Sequence, residues 1–490
     1  MLEKIRRNTL IRLRFGPSPT GNLHIGTLRT ALFNWLYTRS KLGKFILRIE
    51  DTDLLRSKPE YEQNIKEGLE WLGLNCDEGP EEAGDFGPYR QTDRIKEGYY
   101  KRALEELLEK KKAYYCFCTV SDLNGERESS KSAGKPYVYS RKCCALTPED
   151  VKSRLSENIP YTLRFKMPEN NSLLFKDIIR DDIKFDCTLV SDFVIMKSDG
   201  SPSYNFACVV DDKDMKITHV VRGEDHISNM PKQLAIFEAL GSPAPEYAHM
   251  PMILGTDRSK LSKRHGATSV TEYRDQGFLK EAFINYLSLL GWSPNDEQEI
   301  FSLDEIISQF GLDRVSKSGA IFDIKKLTWM NGQYIRKCSP EDLFERAWPF
   351  VTDTLKSKLT TLYSAEDLVK IVNSVKDNLD TLADVSSYIE VYANTEDEYL
   401  DKLSNFEFSE SDKSVILHFS DFLATSSDLN KVSVDQALDS ILEKTGLGKG
   451  KVFRPLRIAS SAEKSGPHVS ELLAILGKEK LQNRLSGLLK

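Results

Sequence analysis

No run of about 18 apolar residues occurs in the chain, so no membrane-spanning helix is expected. The start, MLEKIRRNTLIRLRF, is basic but lacks the apolar core and small-residue cleavage site of a secretory signal, and the expected location is the cytoplasm. No GxGxxG follows the first strand-like run and no GxxxxGKS/T occurs anywhere, so dinucleotide-binding and P-loop readings lose their support. No Ser/His/Asp arrangement argues for a covalent enzyme intermediate. Cysteine is sparse: eight residues, scattered from Cys76 to Cys338, read as reduced thiols or metal ligands rather than a disulfide framework. A global positive field is also missing. The net charge is -6, so an RNA partner would be held by local basic patches. No repeat, coiled coil or low-complexity tract stands out.

What is present is organised around Leu10 to Asp53. The run LIRLRF reads as a strand, and GPSPTGNLHIGT as a Gly- and Pro-marked turn. Leu28, Ala31, Leu32, Trp35 and Leu36 then fall at offsets 0, 3, 4, 7 and 8, one face of a helix. Gly43 marks the stop, and Phe45 to Ile49 reads as a second buried strand. A strand–helix–strand unit of this kind seeds a parallel sheet, with ligands beyond the carboxyl ends of the strands. Arg14, Ser18, Thr20, His24 and Glu50 all fall at that end. Gly16, Gly21 and Gly26 allow close backbone approach, the helix N-terminus favours an anion, and His24 can donate a hydrogen bond to a phosphate oxygen.

The segment PSPTGNLHIGT followed by RIEDTD resembles the signature region of class I aminoacyl-tRNA synthetases, and within them the glutamyl enzymes. His24-Ile25-Gly26-Thr27 is similar to the HIGH motif, with Thr27 in place of its last His. Far downstream, Lys260-Leu261-Ser262-Lys263-Arg264 is similar to KMSKS. Two motifs in the right order are far more specific than either alone, and the resemblance spans essentially the whole chain. It implies an α/β fold: a Rossmann-type parallel-sheet catalytic domain with an inserted acceptor-binding module, followed by an all-α anticodon-binding region. The expected boundaries are 1–112 and 188–255 for the two catalytic halves and 113–187 for the insertion. Residues 256–335 would form the KMSKS loop and stem-contact region, and 336–490 the helical region.

The pattern along the chain agrees with that division. Ile65, Leu69 and Leu72 mark a helix from Pro59 to Leu74, and Tyr99, Ala103 and Leu107 another from Arg94 to Lys112. Between them, the loop 77–94 resembles the family's lead-in to a second nucleotide-site helix, and that resemblance implies Tyr89, Arg90 and Gln91 near the substrates. Lys and Arg between 127 and 142 suggest a phosphate-contacting edge, and 124–135 also reads as a solvated loop. LVSDFVIMKSDGSPSYNFACVVDD reads as strands about a Ser-Asp-Gly-Ser-Pro turn. Thr218 to Val221 is a parallel-strand candidate with Arg222, Glu224, Asp225 and His226 at its end, and a helix from Met230 stops at Gly241. Further on, Ser339, Ser364 and Ser433 read as capping starts of helices. Lys449, Lys451, Arg454 and Arg457 gather as a candidate RNA edge.

The chemistry implied is activation of L-glutamate by ATP with Mg2+, then transfer to tRNA(Glu), with tRNA(Gln) as a second candidate and a monomer as the working unit. The resemblance implies His24, Lys260 and Lys263 as catalytic residues, and His24, Gly26, Asp225 and Lys263 about ATP. Arg14, Ser18, Glu50, Tyr204, Cys208 and Arg222 would hold glutamate, the two arginines flanking its side-chain carboxylate because a guanidinium offers a bidentate fork. Cys116, Cys118, Tyr139 and Cys143 resemble the structural zinc site of some glutamyl synthetases and of their truncated paralogs. Four other readings compete: a glutaminyl synthetase, a truncated paralog that glutamylates a tRNA base, a small-molecule nucleotidylyltransferase, and a non-catalytic RNA-binding relative. The helical character of the C-terminal third weighs against the first, its extra length against the second, the insertion and helical tail against the third, and the intact set of His24, Lys263 and Glu50 against the fourth.

Overall fold

The structure is a computed structural model that describes residues 10–488 except 83, 170–171 and 263–268. Lys263 therefore lies outside the described residues.

The first strand, β1 (Arg12–Phe15), is buried at all four positions. It leads through the Gly/Pro turn into the helix Ile25–Ser40, which buries Leu28, Ala31, Leu32, Trp35 and Leu36 as the periodicity predicts. The stop is made differently. Leu42 takes the left-handed conformation (φ 53), while Gly43 is needed because a Cβ there would lie 2.4 Å from the Ile11 carbonyl oxygen. β2 (Lys44–Leu47) returns parallel to β1.

Among the described residues nine further strands follow: β3 (Ala113–Cys116), β4 (Thr162–Phe165), β5 (Ser172–Asp177), β6 (Asp181–Asp186), β7 (Phe193–Met196), β8 (His219–Gly223), β9 (Glu246–Met250) and the short parallel pair β10 (Ile253–Leu254) and β11 (Ala320–Ile321). The main sheet has the order β2-β1-β8-β9-β5-β6, parallel except for the β5–β6 hairpin. A separate antiparallel sheet has the order β3-β4-β7. Sheet membership crosses the expected boundary at 187/188. β5 and β6, from inside the expected insertion, extend the main sheet, whereas β7, beyond it, completes the smaller one.

Several local expectations change. The loop 124–135 is largely helix, Val120–Ser132, started by a capping box between Thr119 and Asp122. Residues after the Ser-Asp-Gly-Ser-Pro turn form a helix, Tyr204–Asp214, not a strand, because the apolar run Phe206–Val210 is buried all round. The stretch 94–112 is two helices, Gln91–Lys96 and Tyr99–Glu109, broken at Gly98 (φ 76), and Tyr100 rather than Tyr99 is buried.

By compactness the chain falls into two units, residues up to 272 with 284–323, and 273–283 with 324 onward. In the second unit the elements from Ile324 on are helical, packed about a core that includes Leu343, Leu359, Ile371, Phe419, Leu456 and Leu473. Ser339 and Ser364 cap helices as expected. Ser433 does not: that helix starts at Lys431 with Asn430 as its cap. Lys449, Lys451 and Arg454 are exposed on the helix Lys449–Ser461, whereas Arg457 is half-buried and donates to the Pro467 carbonyl. Among the described residues no helix is long and apolar enough to cross a membrane.

Candidate active site

β1 pairs with β2 on one side and β8 on the other, so the chain leaves the sheet in opposite directions from neighbouring strands. A crevice opens at such a point in a parallel sheet. Here a cavity of about 870 Å³ lies there, walled by Arg14, Ser18, His24, Gly26, Glu50, Tyr204, Arg222, Asp225 and Lys260. That is room for a nucleotide and a small acid together. Residues 200 positions apart in sequence thus meet across two adjacent strands.

His24 is the N-cap of the Ile25–Ser40 helix. Its Nδ1 accepts from the Thr27 backbone N–H at 3.2 Å, so the proton sits on Nε2, 2.8 Å from the Thr27 hydroxyl. Desolvation lowers its pKa, the charge of Lys260 lowers it further, and Asp225 opposes both. A neutral imidazole with an N–H on the cavity wall is a donor for an anionic oxygen.

Two arginines also stand on the cavity wall. Arg14 commits Nε to Asp212 at 3.0 Å, with Nη2 3.7 Å from Cys208 Sγ. Arg222 donates Nε to His249 Nε2 at 3.1 Å and Nη2 to Gln233 Oε1 at 2.9 Å. Its Nη1 is buried and has no partner among the described residues. Among the described residues Arg222 forms no ion pair with its sequence neighbours Glu224 and Asp225, and Glu224 pairs with Arg180. A buried cationic donor without a partner is costly, and it fits an anionic group supplied by a ligand.

Tyr204 reaches the same wall, its hydroxyl 3.1 Å from His226 Nδ1. Cys208, expected beside it, does not line the cavity. One helical turn on, it is buried behind Arg14 and Arg48, with Sγ 3.7 Å from the Nη2 of each. Glu50 accepts from Arg48 at 2.8 Å, and a Cβ on Gly16 would lie 2.5 Å from its Oε1, so a larger residue there would displace the Glu50 carboxylate. Tyr89, Arg90 and Gln91, expected near the substrates, are not on the cavity wall. Tyr89 donates to Glu78, Arg90 pairs with Glu62, and Gln91 donates to Asp211.

Beneath the cavity lies a buried ionic layer that the sequence did not announce. Asp212 accepts from Arg14 and Arg48, while Asp211 accepts from Arg94, Gln91 and Tyr100. Burial alone would raise the Asp212 pKa, but the two guanidinium groups outweigh it and hold the carboxyl below its ordinary value. Removing one member of such a layer costs about 3–5 kcal/mol, because an uncompensated buried charge remains. Arg29 was also missed: it lines the cavity and donates to the carbonyls of Leu290 and Pro251, tying the first helix to the segment before Lys260.

In the smaller sheet region Cys116, Cys118 and Cys143 bring three sulfurs within 4.8 Å of one another. The Tyr139 hydroxyl is 3.3 Å from Cys116 Sγ and 3.2 Å from Cys118 Sγ, and the sulfurs of Cys118 and Cys143 are 3.5 Å apart. Thiolates on tetrahedral zinc, with Zn–S near 2.3 Å, stand about 3.8 Å apart, so the donor set fits that ion. Arg164 Nε donates to Cys116 Sγ at 3.2 Å. Burial would raise the Cys116 thiol, but the hydrogen bonds from Tyr139 and Arg164 bring it down to about 7.

Comparison with known proteins agrees along the whole chain. The family described as tRNA synthetases class I (E and Q), catalytic domain, matches residues 10–329, and the anticodon binding domain family matches 342–489. A glutamate–tRNA ligase 1 of Caldanaerobacter subterraneus subsp. tengcongensis is 44% identical over 481 residues, 98% of each chain. A glutamate–tRNA ligase of Natranaerobius thermophilus is 45% identical over 483 residues, again 98% of each. The crystal structure of a glutamate tRNA ligase from Elizabethkingia meningosepticum, in complex with its amino acid, superposes with a TM-score of 0.86 at 35% identity, covering 98% of this chain and 99% of that one.

Proposed function

Since the chain belongs to the class I tRNA synthetases of the glutamate and glutamine branch, and its relatives match it from end to end, we propose that it is a glutamate–tRNA ligase. It activates L-glutamate with ATP, delivered with Mg2+, and transfers the acyl group to the 3′ end of tRNA(Glu).

The glutamate α-carboxylate attacks the α-phosphorus in line. A P–O bond forms to the carboxylate, the bond to the bridging oxygen breaks, and pyrophosphate leaves with that electron pair. Positioning and neutralisation of charge are the whole task, and no enzyme nucleophile is required. His24 donates Nε2–H to a phosphate oxygen beside the backbone at Gly26, with Asp225 on the same wall. Lys260 and Lys263 neutralise the charge that develops on the departing pyrophosphate. The terminal ribose 2′-hydroxyl then attacks the acyl carbon and AMP departs. Ser18 and Glu50 take the amino-acid end of glutamate, and Tyr204, Arg14 and Arg222 its side chain.

The observation that carries this reading is the pair of buried arginines at one end of the cavity, with Arg222 Nη1 unpartnered among the described residues. A carboxylate completes that site, whereas the amide of glutamine would leave its charge uncompensated. The smaller sheet and its cysteine cluster form the acceptor-stem module, and the C-terminal helical region reads the anticodon, with Lys449, Lys451 and Arg454 as phosphate contacts. ATP–pyrophosphate exchange should proceed with glutamate and not glutamine, and should need tRNA. Charging of purified tRNA(Glu) and tRNA(Gln) then decides whether the second tRNA is also a substrate. Exchange supported equally by glutamine would overturn the assignment.

Cys116, Cys118, Tyr139 and Cys143 would hold one zinc ion, whose part is structural. Purified protein is expected to carry about one zinc per chain. Cys118→Ser should lose the metal and lower the melting temperature, with the exchange reaction less affected than charging. Metal analysis finding no zinc in protein prepared without chelators rejects the site.

A further inference from the structure

Behind Arg222 lies a hydrogen-bonded chain that crosses three neighbouring strands of the main sheet. Arg222 on β8 and His249 on β9 are register partners, so both side chains leave the same face. Asp177 ends β5, which pairs with β9 at Tyr247. All three are buried, with exposures of 5% for Arg222, 0% for His249 and 1% for Asp177. His249 Nδ1 is 2.6 Å from Asp177 Oδ2, and His249 Nε2 accepts from Arg222 Nε at 3.1 Å.

The proton positions follow from the donors. Arg222 Nε always carries hydrogen, so His249 Nε2 must be the bare nitrogen and the ring proton must sit on Nδ1. Asp177 enforces this. Its Oδ1 accepts from the backbone N–H groups of Ile179 and Arg180, at 3.0 and 2.9 Å, and the His249 backbone N–H lies 3.3 Å from Oδ1 and 3.2 Å from Oδ2, so the carboxylate is fixed with Oδ2 toward the ring. On the other side of the guanidinium, Gln233 Oε1 accepts from Nη2 at 2.9 Å, and Gln233 is itself held by a bond from its Nε2 to Asn205 Oδ1 at 3.1 Å. Held through Nε and Nη2, the group has one terminal nitrogen, Nη1, left for a ligand.

We infer that Asp177 and His249 are positioning residues for the substrate's side-chain carboxylate: they fix the histidine tautomer that aligns Arg222, and so set selectivity for an acid over an amide. This rests on the proposed role of Arg222. No pairing of carboxylate with Arg222 exists among the described residues, so its orientation is set by neutral acceptors whose lone pairs must point the right way.

The test is Asp177→Asn, which keeps the shape. An amide that still accepts from Ile179 and Arg180 must present N–H to His249 Nδ1. The ring proton then moves to Nε2 and opposes Arg222 Nε–H. The KM for glutamate in pyrophosphate exchange should rise about ten- to a hundred-fold, the size of losing one aligned bond to a charged group. The KM for ATP should stay within about two-fold, and the preference for glutamate over glutamine should fall by a similar factor. His249→Gln with Asp177 intact should keep the KM for glutamate within about three-fold of wild type, because the Gln oxygen accepts from Arg222, its N–H donates to the Asp177 carboxylate, and there is no tautomer to invert. Nitrogen-15 histidine spectra of the unliganded wild type should show His249 protonated at Nδ1, assigned by comparison with His249→Gln.

An Nε2-protonated ring in the wild type overturns the inference, even if Asp177→Asn fails to fold. So does an unchanged KM for glutamate once the ring has flipped, a parallel rise of both KM values, or a His249→Gln variant whose glutamate KM rises as far as that of Asp177→Asn. Arg222→Leu, run alongside, separates the two readings. If it leaves the glutamate KM unchanged, the carboxylate role of Arg222 fails. If it raises that KM while Asp177→Asn does not, only the positioning role fails.

Discussion

Arg222→Leu should raise the KM for glutamate by about two orders of magnitude or more, with the melting temperature unchanged or slightly higher. The first part follows from removing one member of a buried charge pair in the complex, which costs about 2–5 kcal/mol. The second follows from what surrounds the residue. His249 Nε2, Met230 Sδ and Gln233 Oε1 are neutral acceptors, so leucine leaves no buried carboxylate behind. In the ligand-free protein the guanidinium is itself the uncompensated buried charge, and a similar apolar volume relieves that cost. Arg48, joined to Glu50 and Asp212, is the opposite case, and its loss would take the guanidinium partner from Glu50 and leave Asp212 with Arg14 alone. Glutamate titrations of the exchange rate, with thermal unfolding of the same preparations, check both parts. A KM near wild type, or a large drop in melting temperature, contradicts the argument.

Lys263→Ala should lower the rate of adenylate formation by about a hundred- to a thousand-fold, the usual consequence of removing one group that stabilises developing transition-state charge. The KM for glutamate should change little, since the lysine acts on the phosphate end. Lys260, three positions earlier, lines the same cavity as His24, and its charge is felt by that imidazole. The backbone leading there is a tight turn, with the Gly255 N–H bonded to the Ser259 carbonyl at 2.8 Å. Rapid-quench measurement of adenylate formation in the presence of tRNA isolates the chemical step. Near-normal formation in the variant would remove Lys263 from the mechanism.

Much of the catalytic frame was legible because its signals are local. The spacing of Leu28, Ala31, Leu32, Trp35 and Leu36 dictates one buried helix face, whatever the helix packs against. The Gly/Pro turn before it forces the chain to bend where β1 ends. Cys116, Cys118, Tyr139 and Cys143 could be grouped from spacing and resemblance because all lie within one short stretch. The failures were also local in kind. The run YNFACVVDD has no clear period, since its helix is buried on nearly every side, and its apolar residues alone suggest a strand. A helix over 120–132 was hidden because it buries none of its residues and is started by a Thr/Asp capping box.

By itself the sequence determined the strand–helix–strand frame, the histidine at its bend, the basic loop far downstream, and the helical C-terminal third. Tertiary structure alone decided which donors of Arg14 and Arg222 are engaged, why Cys208 stands behind the cavity rather than in it, and that β5 rather than β7 extends the main sheet. The reason is physical. Periodicity and turn chemistry act between residues a few positions apart, whereas a side chain's hydrogen-bond partner depends on the register of strands that meet only after the chain has folded.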